Sequence, residues 1–141
     1  MKPFANFLCK FPKQHRKFVP MSTFIDTGSP NTNICSVELE KIGLSLKHLI
    51  DKDDFKPILL GGAKHKGHVL RTPVEFKFKC GKEIISLNSP TVYVLLPFRG
   101  DKIGIKQSRG IPNIIGVDFL QHHNLGLYFN PSKNIAYLEK D

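Results

Sequence analysis

The sequence predicts an all-β fold, mainly strand with one or two short helices and a single lobe, and three observations predict it. Val74, Phe76, Phe78 and Cys80 alternate strictly with Glu75, Lys77 and Lys79, the period-two pattern of a half-buried strand. Short apolar runs at 55–70 and 125–138 are interrupted by glycine, proline and asparagine in the manner of hairpins. The 141 residues suffice for one domain that buries roughly two-thirds of its unfolded surface, and a second lobe does not fit.

Residues 1–16 mix Phe4, Phe7, Leu8 and Phe11 with Pro3, Pro12 and lysines, and show neither a helical nor a strand period. Five positive charges, Lys2, Lys10, Lys13, Arg16 and Lys17, precede the first acid, Asp26. The stretch reads as a basic, solvated N-terminal arm whose aromatics could dock on the domain or on a second subunit, or contact a membrane surface, docking being the preferred reading, with the folded domain occupying 17–141. Phe18 to Ile25 reads as a strand, with Pro20 tolerable only near its start or on an edge. It runs into Thr23-Phe24-Ile25-Asp26-Thr27-Gly28-Ser29-Pro30, which sets an acid and a glycine directly after an apolar run. A carboxylate there is unfavourable unless donors meet it, and Gly28 lets backbone pass beside it with no Cβ in the way. Asp26 therefore reads as the working residue.

Ser36 can cap a short helix through Val37, Leu39 and Ile42, with Gly43 as its left-handed terminator. Leu44 to Asp54 is ambiguous between a helical turn and a polar connector. Phe55 to Leu60, the glycine-bearing stretch Gly61-Gly62-Ala63-Lys64-His65-Lys66-Gly67, and His68 to Leu70 read as a hairpin with a mobile tip. His65 and His68 read as solvated side chains, because no carboxylate or thiol stands at a helpful metal-ligand spacing. After the strand at 74–80, Gly81-Lys82 turns into Glu83 to Leu87, and Thr91 to Leu96 extends a meander. Pro97, Gly100, Gly104, Gly110 and Pro112 predict a long irregular connection. Ile114-Ile115 should be buried, Gly116 should permit close packing behind the Asp26 loop, and Asp118 to His123 should form a short helix ended by Asn124. Leu125 to Phe129 and Ile135 to Leu138 close the chain as a hairpin, its last strand available for a dimer sheet.

Two motifs in order, Asp26-Thr27-Gly28 and Ile114-Ile115-Gly116, resemble the active-site loop and the strand behind it in retropepsin-like (retroviral-type) aspartic proteases. Gly61-Gly62 between them resembles the flap, and the likeness spans roughly residues 17 to 139. The resemblance implies an aspartic endopeptidase with the single-lobed acid-protease barrel. It implies catalytic roles for Asp26, Thr27 and Gly28, and substrate contacts from Gly61, Gly62, Ala63 and Ser29. Pepsin-like chains carry two Asp-Thr-Gly loops; this one has a single copy, so the partner carboxylate must come from a second chain, in a homodimer that holds its peptide or protein substrate extended. Ser29 stands where viral enzymes commonly have Ala, and its hydroxyl could bond the carboxylate. Asp118 is expected to be structural, bonding backbone or a neighbouring base. The long 97–112 connection departs from the compact viral enzymes.

The net charge of +9 favours acidic partners but says nothing of fold. Without a basic-aromatic recognition motif, nucleic-acid binding is not expected. Cys9, Cys35 and Cys80 are odd in number and widely spaced, the pattern of reduced structural thiols in a cytoplasmic protein. No signal peptide, membrane span, metal or cofactor is expected. The competing reading is a non-catalytic dimerisation or peptide-binding module of the same fold.

Overall fold

The structure is a computed structural model that describes residues 4–11, 15–60, 62–80, 82–89 and 91–140. Among these, strand dominates. The strands are β1 (Phe4–Phe11), β2 (His15–Ile25), β3 (Lys56–Leu60), β4 (Ala63–Val69), β5 (Val74–Cys80), β6 (Glu83–Ser89), β7 (Tyr93–Leu96), β8 (Asn113–Ile115), β9 (Leu125–Asn130) and β10 (Ile135–Lys140). Four short helices interrupt them: α1 (Ser36–Lys41), α2 (Leu46–Leu49), α3 (Lys102–Ser108) and α4 (Val117–His122).

One sheet runs β8-β2-β1-β5-β10-β9, with β6 on β5; a second runs β3-β4-β7. The alternation that marks β5 puts Val74, Phe76 and Phe78 in the core, where the Phe7 ring lies 6.1 Å from Phe76 and 5.0 Å from Phe78. Phe119 of α4 joins them, 5.3 Å from Phe76, so the helix behind the Asp26 loop is anchored in the same aromatic cluster. Such ring pairs add to the burial of large apolar surfaces.

Several expectations are corrected. The stretch expected as a solvated arm contains β1, paired with β2 on one side and β5 on the other, and Phe7, Cys9 and Phe11 are buried. Its alternation was hidden because the intervening positions, Asn6, Leu8 and Lys10, are not uniformly polar. Lys2, Pro3, Pro12 and Lys13 lie outside the described residues. The expected meander stops after β6: β7 leaves the large sheet and pairs antiparallel with β4. The connection at 97–112 is not wholly irregular, since Asp101 accepts a hydrogen bond from Gly104 N at 3.0 Å and caps α3. The ambiguous stretch after Gly43 holds α2, so the helices exceed the one or two expected. Helix α1 begins one residue past Cys35 with no side-chain cap, so Ser36 is its first residue and not its cap; Gly43 is left-handed as expected, at φ 81°.

Pro20 sits within β2 opposite Leu8, and β8 pairs with β2 only at Thr23, Phe24 and Ile25. The edge left open at Pro20 explains how a residue without an N–H is accommodated mid-strand. The last strand, a candidate for a dimer sheet from the sequence, is flanked within the chain by β9 along its length and by β5 at Leu138. No helix among the described residues is long and apolar enough to cross a membrane.

Candidate active site

Asp26 is held where two distant strands meet. β2 and β8 run parallel with Ile25 opposite Ile115, and Asp26 N donates to Ile115 O at 3.0 Å. Beyond Asp26 the chain turns sharply, Ser29 N donating to Asp26 O at 3.0 Å and Val117 N to Ser29 O at 2.8 Å. The loop then rejoins β8 through reciprocal bonds of 2.9 Å between Asn33 and Ile114. Gly28 and Gly116 make this geometry possible. A Cβ on Gly116 would run into the Asn31 backbone and lie 2.8 Å from Ser29 O, and one on Gly28 would lie 3.2 Å from Asp26 Oδ1.

The carboxylate of Asp26 is half-buried and accepts from Gly28 N at 3.0 Å. The bond expected from the Ser29 hydroxyl is not made: Ser29 Oγ donates to Asn31 O at 2.9 Å, turned into the loop rather than toward the acid. Thr27 is exposed at the surface of the loop. Asp118 is structural, accepting from Thr32 N at 3.1 Å, Thr32 Oγ1 at 2.7 Å and Phe119 N at 2.8 Å. Thr32 Oγ1 in turn accepts from Gly116 N at 3.0 Å. Thr32 and Asn113 were not anticipated from the sequence. The Asn113 side chain accepts from Cys35 N at 2.8 Å and donates to Ser22 O at 3.1 Å, stitching loop and strand together. A polar residue set between Pro112 and two isoleucines was the available signal, since a buried amide persists only with its bonds satisfied.

Two cavities meet at Asp26, and Leu60 of the hairpin lines both. The smaller, about 380 Å³, lies between the 28–33 loop and β3, with the Lys56 ammonium 4.7 Å from the Tyr93 ring. The larger, about 880 Å³, lies between Leu60, His65 and α3. The hairpin expected from the glycines is present as β3 and β4, but its turn is shorter, because Ala63 already pairs with Leu60. Its wall on the cleft is β3, Lys56 to Leu60. Gly62 is exposed at φ 78°, Ala63 is half-buried, and neither lines the two cavities; Gly61 lies outside the described residues.

The histidines expected to be solvated are both buried, His65 at 0% and His68 at 2% exposure. Three positions apart on a strand, they face opposite sides. His68 Nδ1 lies 3.0 Å from Asp51 O and 3.1 Å from Asp54 O, so this nitrogen carries the proton and donates to both carbonyls, fixing the 51–54 connector to β4. Among the described residues no group of three or more His, Cys, Asp or Glu side chains is placed to hold a metal ion. Asp26 is the only acid among the described residues that line the two cavities.

No protein-family model matches the sequence, and no curated protein matches it significantly. Solved structures do. The retroviral protease-like domain of Ddi1 from Leishmania major superposes with a TM-score of 0.52 at 17% identity, covering 100% of this chain and 90% of that one. A retropepsin-like aspartic protease from Rickettsia conorii gives a TM-score of 0.48 at 16% identity, over 96% of this chain and 83% of that one. The first superposition, together with a mostly β architecture and one Asp-Thr-Gly loop laid against β8, shows that this chain has the single-lobed retropepsin-like fold.

Proposed function

We propose that this chain is an aspartic endopeptidase that works as a homodimer. The observation that carries the reading is the placement of Asp26: a half-buried acid, on a loop fixed at both ends to β8, at the junction of two cavities roofed by a hairpin. An extended peptide lying across both cavities would present its scissile bond to that acid, with the β3–β4 hairpin folding over it as a flap to exclude water. Gly62 and Ala63 would then reach the substrate backbone from the turn, whereas Gly61, expected to act with them, lies outside the described residues.

One carboxylate is half of the chemistry. Hydrolysing an amide needs a base to take a proton from water and an acid to supply one to the carbonyl oxygen. Two Asp26 carboxyls across a twofold axis hold a single proton between them, because like charges so close do not both ionise. The ionised member takes a proton from the water as its oxygen bonds the carbonyl carbon, and the protonated member gives its proton to the carbonyl oxygen. Collapse of the tetrahedral species breaks the C–N bond as the newly protonated member gives its proton to the leaving amine and the ionised member takes one from a diol hydroxyl, which leaves a carboxylic acid and an amine and restores one proton to the pair. Thr27, exposed on the loop, would face its partner copy, and Gly28 N holds one oxygen of each carboxylate.

A second reading is a dimerisation or peptide-binding module, for which the two cavities lined by this chain's own residues would suffice. Incubation with a denatured protein mixture at mildly acid and neutral pH, beside Asp26→Asn, separates the two. Cleavage by the unaltered protein alone supports the endopeptidase; cleavage by neither leaves the binding module.

A further inference from the structure

The larger cavity at Asp26 holds a group that the hydrolytic chemistry does not use. His65 lines it, is 0% exposed, and among the described residues has no hydrogen-bond partner at Nδ1 or Nε2. An imidazole buried in this way has no protein group in place of its bonds to bulk water, which is unfavourable, and a ligand group that supplied the missing partner would relieve that cost. His68 on the same strand shows the contrast, bonded to two carbonyls. The ladder explains the difference: β7 pairs with β4 from Lys66 onward and stops short of His65, whose side of β4 looks toward α3.

The remaining surroundings select a chemistry. Leu60, Ile111 and Ile114 give apolar walls, and Lys102 and Lys106, one helical turn apart on α3, are the cations that line the cavity. We propose that this pocket is a specificity subsite for an acidic side chain of the substrate, glutamate above all. Its methylenes would lie along the apolar walls, and its carboxylate would accept a hydrogen bond from His65 and be neutralised by Lys102 and Lys106. An apolar side chain would leave His65 unpaired, a basic one would meet two ammonium groups, and aspartate has less stem to span the walls. The proposal rests on reading Asp26 as the point where a peptide is held.

The test is cleavage-site profiling of a denatured protein mixture, followed by matched peptides carrying Glu, Gln or Leu at the selected position. Glutamate should be enriched at one position within about three residues of the scissile bond, as an extended peptide requires. Its replacement by Gln should lower kcat/KM roughly tenfold to a hundredfold, the range for losing a charge-assisted bond. His65→Leu should shift the preference from Glu to apolar residues. Lys102→Gln with Lys106→Gln, both at exposed positions that folding tolerates, should weaken the Glu preference. Cleavage without acidic enrichment, or enrichment unmoved by the lysine changes, overturns the subsite and leaves the endopeptidase reading intact. Should nothing be cleaved, that reading falls, and fluorescence polarisation with the same labelled peptides decides the pocket. Tighter binding of the Glu peptide, lost in the lysine variant, supports it; equal binding of all three, or no binding, overturns it.

Discussion

Asp118 grips Thr32 twice across 86 positions of sequence, taking the backbone N–H at 3.1 Å and the hydroxyl at 2.7 Å. The same hydroxyl accepts from Gly116 N, so one buried side chain joins the far end of the Asp26 loop to β8 and α4. Thr32→Val keeps the shape but strips both bonds, leaving the buried Gly116 N–H unpaired. It should lower stability by about 1–3 kcal/mol, read as a reduced urea midpoint with unchanged slope. Asp118→Ala should destabilise similarly yet retain hydrolysis per folded molecule, which separates its role from that of Asp26.

Gly116→Ala tests the close approach behind the loop. The added Cβ would meet the Asn31 and Ser29 backbones rather than a flexible side-chain end, so relief requires moving the loop itself. A loss of about 1–3 kcal/mol in stability is expected from such overpacking, together with lower activity because Asp26 moves with the loop. A variant as stable as the parent would show that the loop yields easily.

Asp26→Asn should preserve the fold, since an amide oxygen still accepts from Gly28 N, while reducing peptide hydrolysis to background. If the second carboxyl comes from another copy, specific activity of the unaltered protein should fall on dilution in step with the dimer fraction seen by analytical ultracentrifugation. Constant specific activity in a monomeric sample would contradict a shared site.

His123 predicts an acid limb of stability. Burial lowers its pKa, the neighbouring His122 ring at 4.7 Å lowers it further, and a hydrogen bond with the Asn88 backbone offsets part of this. The folded value thus lies below the ordinary 6.5, and between the two the unfolded chain binds more protons. Stability from this residue is complete above 6.5 and declines as pH falls toward the folded value. Denaturation midpoints on either side of 6.5 should show the decline, and His123→Gln should flatten it.

Cys9, buried on β1, has its thiol pushed up to about 12 by burial. It should resist thiol reagents in the native state and react only as the molecule unfolds, so its labelling rate reports opening of the strand. Rapid labelling under native conditions would mean that β1 detaches readily.

What the sequence disclosed follows from where periodicity was undisturbed. The β5 alternation, the loop at Asp26-Thr27-Gly28 and the buried Ile114-Ile115-Gly116 run each carry their local signal, and each is where it was expected. β1 was missed because Leu8 is apolar at a position that is 38% exposed, breaking the two-residue period. α3 was missed because Gly104 and the flanking prolines read as breakers, although Asp101 was available as a cap. The polar joints at Thr32 and Asn113 involve partners about 80–90 positions distant, which no local pattern reveals. His65 and His68 were read as wet for the same reason: what buries them comes from α3 and from the 51–54 connector.

The parallel pairing of Thr23, Phe24 and Ile25 with Asn113, Ile114 and Ile115 also carries a consequence for biosynthesis. The segment bearing the acid leaves the ribosome before the strand that gives it its shape, since Asn113 follows its partner Thr23 by 90 positions (113 − 23). A nascent chain therefore holds its acid without the scaffold that aims it. Any hydrolytic power this molecule has is deferred until that later strand has been made and has paired with the first.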